Sequence, residues 1–100
     1  MTIRHVVSWK LATTDPAERA EQAAAIKRGL ESLPPSIPEI LALEVGINAL
    51  NPEANFDVVL ISDFEDEDAV ARYVAHPDHE EVAKYIKSVV GGRSAVDFEV

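Results

Sequence analysis

Two of the chain's three histidines, His76 and His79, stand three positions apart in the stretch RYVAHPDHEEV, residues 72–82. Tyr73 lies three positions before the first of them, and Pro77 lies between them. Histidine titrates at about pH 6.5, so it can take or give a proton near neutrality. A tyrosine hydroxyl beside it can donate to a developing enolate or oxyanion. The third histidine, His5, belongs to the first apolar stretch of the chain. The residue types admit three readings: an acid–base site, a metal site, or the way one helix ends and the next begins.

The metal reading is the weakest. A spacing of three can put two imidazoles on one helical face, with Asp78 or Glu80 as further ligands. Pro77 breaks the regular helix between them, and no His-Glu-x-x-His pattern occurs. The acidic run DFEDED, 63–68, has hard-cation chemistry, but two or three acids suit a helix start and the others suit solvent. The chain has no cysteine, which excludes disulfides, thiolate catalysis and cysteine-bound zinc. The one glycine pair, Gly91–Gly92, follows a helical pattern and makes no phosphate loop, and no serine sits in a nucleophile elbow. No metal and no cofactor are expected.

The structural reading is stronger. Asp78 and Glu81 make a capping-box pattern, which predicts that Asp78 caps a helix restarting after Pro77. His76 is expected to bond backbone carbonyls freed at the break. Tyr73 is at helical spacing from Val70 and Val74, so it fits a core position as well as a site.

The net charge of −9 speaks against nucleic acid and against an anionic membrane surface as partners. No stretch resembles a signal peptide or a membrane span, so a cytoplasmic location is the expectation. One hundred residues without linker or repeat read as one domain, 1–100, with a core over about 2–98.

These residues must be carried by a small number of elements. IRHVVSWKL, 3–11, alternates as a strand with Ile3, His5, Val7, Trp9 and Leu11 on one face. Asp15, Pro16 and Glu18 open a helix over about 16–33, which Pro34 and Pro35 stop. Residues 38–48 and 56–64 read as a hairpin around NPEAN, the second strand apolar enough for burial on both faces. Residues 65–90 are helical on both sides of Pro77, Gly91 and Gly92 end the helix, and 94–100 read as a last strand. The order β-α-β-β-α-β predicts an α+β ferredoxin-like fold, with helices on one sheet face and a second copy as the simplest cover for the other.

At this point the chain resembles a known family, the stress-responsive A/B barrel domain, or dimeric alpha-beta barrel. The resemblance rests on IRHVVSWK (3–10), EVGIN (44–48), DVVLISDFED (57–66), YVAHPDH (73–79) and DFEV (97–100), the first and fourth being the specific ones. It implies ferredoxin-like protomers that pair their sheets as a homodimer. By similarity to a plant polyketide cyclase of that family, Tyr73 and His79 are implied as catalytic residues: His79 as general base and Tyr73 as hydrogen-bond donor. It also implies His5, Val7 and Trp9 as ligand-binding residues of a pocket between sheet and helices. The first helix, AERAEQAAAIKRG, lacks the aromatic lining of that cyclase, and Trp9 replaces a smaller residue and is expected to fill part of the cavity. The resemblance further implies that backbone carbonyls near Leu30–Ile37 hold magnesium in some members. The expected function is a small-molecule-binding protein with cofactor-free cyclase or isomerase chemistry. The alternatives are a non-catalytic stress-response dimer or larger assembly, and a cofactor-free monooxygenase.

Overall fold

Strict alternation over IRHVVSWKL forms strand β1, Ile3–Leu11, in which every odd position is buried and every even one half-buried. The computed structural model describes residues 1–100. After β1 come α1 (Pro16–Glu31), β2 (Ala42–Ile47), β3 (Val58–Phe64), α2 (Glu67–Ala75), α3 (Pro77–Val89) and β4 (Val90–Glu99). The strands make one antiparallel sheet in the order β2-β3-β1-β4. The fold is the ferredoxin-like α+β arrangement read from the sequence. No helix is long and apolar enough to cross a membrane.

The core lies between the helices and one sheet face. The odd residues of β1 meet Val58, Leu60 and Phe64 of β3, with Ala23, Ile26 and Leu30 of α1 and Ala69, Tyr73 and Ile86 above them. Asp57 is buried at the end of this layer, where its carboxylate accepts from the Leu11 N–H at 2.8 Å and faces Lys10 and Arg19 at 3.9 and 3.8 Å. On the opposite face nothing covers the sheet. Val96 and Phe98 of β4 are 61 and 42% exposed there, Val100 just past the strand is 57% exposed, and Val96 stands opposite Val6, which stands opposite Ile61. The two-sided burial expected for β3 is therefore one-sided in the single chain: Val59 and Ile61 are only half-buried.

Element ends differ from the sequence reading for local reasons. Helix α1 stops at Glu31 because Ser32 turns the chain, its N–H on the Arg28 carbonyl and its hydroxyl on the Gly29 carbonyl. Leu33 and Ile37 are buried in the turns that follow, not in a helix. Strand β2 begins at Ala42 rather than 38, since turns run through residues 33–40 and Leu41 makes the first bond to the sheet, on the Asp63 carbonyl. Gly91 and Gly92 do not end the helix as turn residues. Helix α3 passes at Val90 straight into β4, four residues earlier than expected, with a bulge opposite Lys10 and Leu11. A Cβ on Gly91 would lie 3.3 Å from the Ala12 Cα, so a side chain there would have to push the neighbouring backbone aside.

Candidate functional site

The break at Pro77 is built around one residue. His76 ends α2, its N–H on the Tyr73 carbonyl, and begins α3, its Nδ1 accepting from the Asp78 N–H at 3.1 Å. This corrects two expectations. Asp78 is not the cap, because proline takes the first helical position, where its missing N–H costs nothing, and the cap falls one residue earlier. His76 also bonds an N–H with its ring rather than a carbonyl. Its role is structural, and its ring nitrogen is committed to the cap rather than to a shared site with His79. No group of three or more His, Cys, Asp or Glu residues is placed to hold a metal ion. Two of the five DFEDED acids have structural duties: Asp63 pairs with Arg4 at 2.9 Å, and Asp66 caps α2 through the Ala69 N–H at 2.8 Å.

The chain's turn at His76 brings Tyr73 and His79 together. Their rings meet edge to face with centroids 4.5 Å apart. Tyr73 also packs on Phe64 at 4.9 Å and lies edge-on to His5 at 6.2 Å. A cavity of about 280 Å³ opens beside this cluster, between β1 and α3. His5, Val7 and Trp9 line it from β1, Tyr73 and Val74 from α2, and His79, Ala83 and Ile86 from α3. All five residues singled out from the sequence therefore share one cavity. Trp9 forms part of its wall and leaves it open.

Two buried polar atoms here, Tyr73 Oη and His79 Nδ1, make no well-formed hydrogen bond in the protein, although the Val74 carbonyl lies near enough to His79 to act on its ring. Burial pushes the Tyr73 hydroxyl up to about 12, so it stays protonated throughout the physiological range. Burial pushes the His79 imidazole below its ordinary value; the Val74 carbonyl opposes this and the neighbouring His5 adds to it. At neutral pH the pair is thus a phenol able to donate beside an imidazole able to accept.

The sequence reading missed Asp97. It stands opposite His5 in the β1–β4 register and bonds His5 Nδ1. The carboxylate oxygen accepts and Nδ1 donates, so this bond fixes the His5 ring and does not engage Nε2. The signal was present in the alternation of SAVDFEV, but only the pairing register identifies its partner. Lys87 and Arg93, which also line the cavity, carried no signal at all.

Fold and cavity define a ferredoxin-like protein with a small, largely apolar pocket on the helical side of its sheet. Residues 3–100 match the model of the Stress responsive A/B Barrel Domain, and the chain belongs to that family. It is similar to a dimeric protein of unknown function with a ferredoxin-like fold from Bacteroides fragilis: 32% identity over 99% of this chain and 96% of that one, TM-score 0.89. A dimeric ferredoxin-like protein of unknown function from Thermobifida fusca shows 29% identity over 100% and 92% of the two chains, TM-score 0.83. An Arabidopsis thaliana protein, 24% identical over 98% and 94%, TM-score 0.76, shares the fold. No protein of curated function matches the chain.

Proposed function

We propose that the chain works as a homodimer and that its pocket binds a small carbonyl compound, on which Tyr73 and His79 perform cofactor-free chemistry of the cyclase or isomerase kind. The observation that carries this reading is the pair of unpartnered buried atoms, Tyr73 Oη and His79 Nδ1, on touching rings beside an open cavity. An unpaired buried polar group is a cost that a fold removes unless a ligand uses it. His79 takes a proton from the carbon next to a carbonyl, and Tyr73 donates to the oxygen as the enolate forms. The enolate carbon then attacks a second carbonyl of the same molecule, closing a ring, and the His79 imidazolium returns its proton to the alkoxide that forms; in an isomerisation the imidazolium returns the proton to a different carbon of a conjugated enolate. His5, held by Asp97, with Val7 and Trp9, orients the ligand. General-base and oxyanion contributions of about 10²-fold or more each are ordinary for such groups.

The dimer reading rests on the exposed apolar row of β4 with Val6 and Ile61, and on the dimeric state of the two relatives above. A second reading draws on the complete burial of Tyr73 in the core. In it the pocket is non-catalytic and the dimer itself is the working unit.

The test follows exchange of α-protons of linear ketones for deuterium by proton NMR. The native chain should accelerate exchange, His79→Gln should abolish the acceleration, and Tyr73→Phe should slow it about 10²-fold. Ketones that quench Trp9 fluorescence yet exchange no faster than in buffer would leave the non-catalytic reading standing. Oxygen consumption with the same compounds would point instead to a monooxygenase.

A further inference from the structure

The cavity is lined by nine apolar residues and four others, and all four of those are basic: His5, His79, Lys87 and Arg93. That is unexpected in a chain with eighteen acidic residues and nine basic ones. Most cations in this protein are already matched: Arg4, Lys10, Arg19, Lys27 and Arg72 each stand within ion-pair distance of a carboxylate. The four cations without such a partner are Arg28, Lys84, Lys87 and Arg93. Lys87 and Arg93 line the cavity, and Lys84 lines the adjoining outer groove with His79 and Lys87. Two carboxylates lie nearby. Asp97 is held by His5, and Glu80 belongs to the outer groove.

The geometry points to a ligand with an apolar body and a carboxylate head, the body in the cavity and the head between Lys87 of α3 and Arg93 of β4. This rests on the ligand-pocket reading above and names the class of compound it takes. Lys87 alone has another explanation, since it stands in the last turn of α3, where the helix end is negative. Arg93 has none: it is an exposed strand residue opposite Trp9. The negative helix end also argues for a singly charged head over a phosphate. Phosphates favour helix N-termini and backbone N–H cradles, and this mouth has a helix C-terminus.

The experiment uses the one tryptophan, Trp9, as reporter, because it lines the cavity. Octanoate, 1-octanol, octylammonium and octyl phosphate are titrated against the full chain. Octanoate should bind about tenfold tighter than octanol, since two partly exposed cations each contribute modestly, and added salt should shrink the gap. Lys87→Gln with Arg93→Gln should erase the preference, so that octanoate binds no tighter than octanol to the same variant, while Lys87→Arg with Arg93→Lys should keep it. Equal binding of octanoate and octanol overturns the inference but spares the pocket. So does tighter binding of octylammonium or octyl phosphate, or a preference that survives the glutamine pair. If none of the four perturbs Trp9, the pocket reading itself falls, and this inference with it.

Discussion

Replacing Tyr73 with phenylalanine removes one oxygen and leaves the ring, so it separates the two duties this residue has. The ring is a core element, 0% exposed and packed between Phe64 and His79 at centroid distances of 4.9 and 4.5 Å. The hydroxyl is buried and bonded to nothing in the protein. A buried polar group without a partner costs about 1–3 kcal/mol. Removing it should therefore leave stability unchanged or raise it, by up to about 2 kcal/mol. In a domain of this size 1 kcal/mol moves Tm by about 4–8 °C, so the expected change runs from none to about 8–16 °C upward. Tyr73→Ala is the control: losing the ring should cost about 3–5 kcal/mol. Thermal unfolding followed by circular dichroism at one fixed protein concentration reads both, because a dimer's Tm depends on concentration. Proton exchange on ketones supplies the second readout. A stable Tyr73→Phe protein with exchange lost is the signature of a hydroxyl kept for a ligand. A drop in Tm of more than roughly 5 °C for Tyr73→Phe would refute the reasoning, since the hydroxyl would then be holding the fold.

Three further outcomes are expected. His79 has its pKa lowered by burial, so the unfolded chain binds a proton more readily than the folded one. Its contribution to stability is complete above the unfolded value of about 6.5 and is lost as pH falls through the lower folded value; urea midpoints of the native chain should decline over that window, and His79→Gln should flatten the decline. Val96→Asp with Phe98→Asp puts charge on the exposed apolar face of β4 and should weaken self-association more than a hundredfold, given about 3–5 kcal/mol for an uncompensated buried charge; light scattering behind a sizing column would disprove the sheet-face dimer if the double variant stayed dimeric at the same concentration. His76→Ala removes the cap of α3 and should cost about 1 kcal/mol in chemical denaturation without altering ligand-dependent Trp9 fluorescence; a change in ligand response instead would move His76 into the site.

Local patterns made the fold readable. Alternation in β1, the Asp15-Pro16 start of α1 and the break at Pro77 each follow from a few neighbouring residues, and each appears where those residues place it. Errors cluster where a second element decides the outcome. Leu33 continues the helical stripe of α1 in sequence, but Ser32 closes the helix before it. The glycines at 91–92 look like a helix stop, yet the chain's approach to Ala12 turns them into the bulged start of β4. The Asp78-Glu81 pattern is a capping box on paper, and Pro77 overrides it by taking the first helical position.

The site divides along the same line, and the division says which of its parts to test. Tyr73 and His79 are six positions apart, and the turn that joins their rings is local, so their pairing was within reach of sequence patterns. The partners that give the site its charge are not local. Asp97 meets His5 across ninety-two positions, and Arg93 joins Lys87 only because β4 returns beside β1. Each is an ordinary surface residue in sequence. Charge in an acidic chain is hardest to interpret of all, because a cation's meaning depends on whether an acid has already taken it. Here Lys87 and Arg93 are left over after the pairing is done, and they are left over in the same place. That coincidence stands beside the unpartnered Tyr73 Oη and His79 Nδ1 as a second feature of the cavity to test, and Arg93, which has no helix end to serve, is the residue on which it turns.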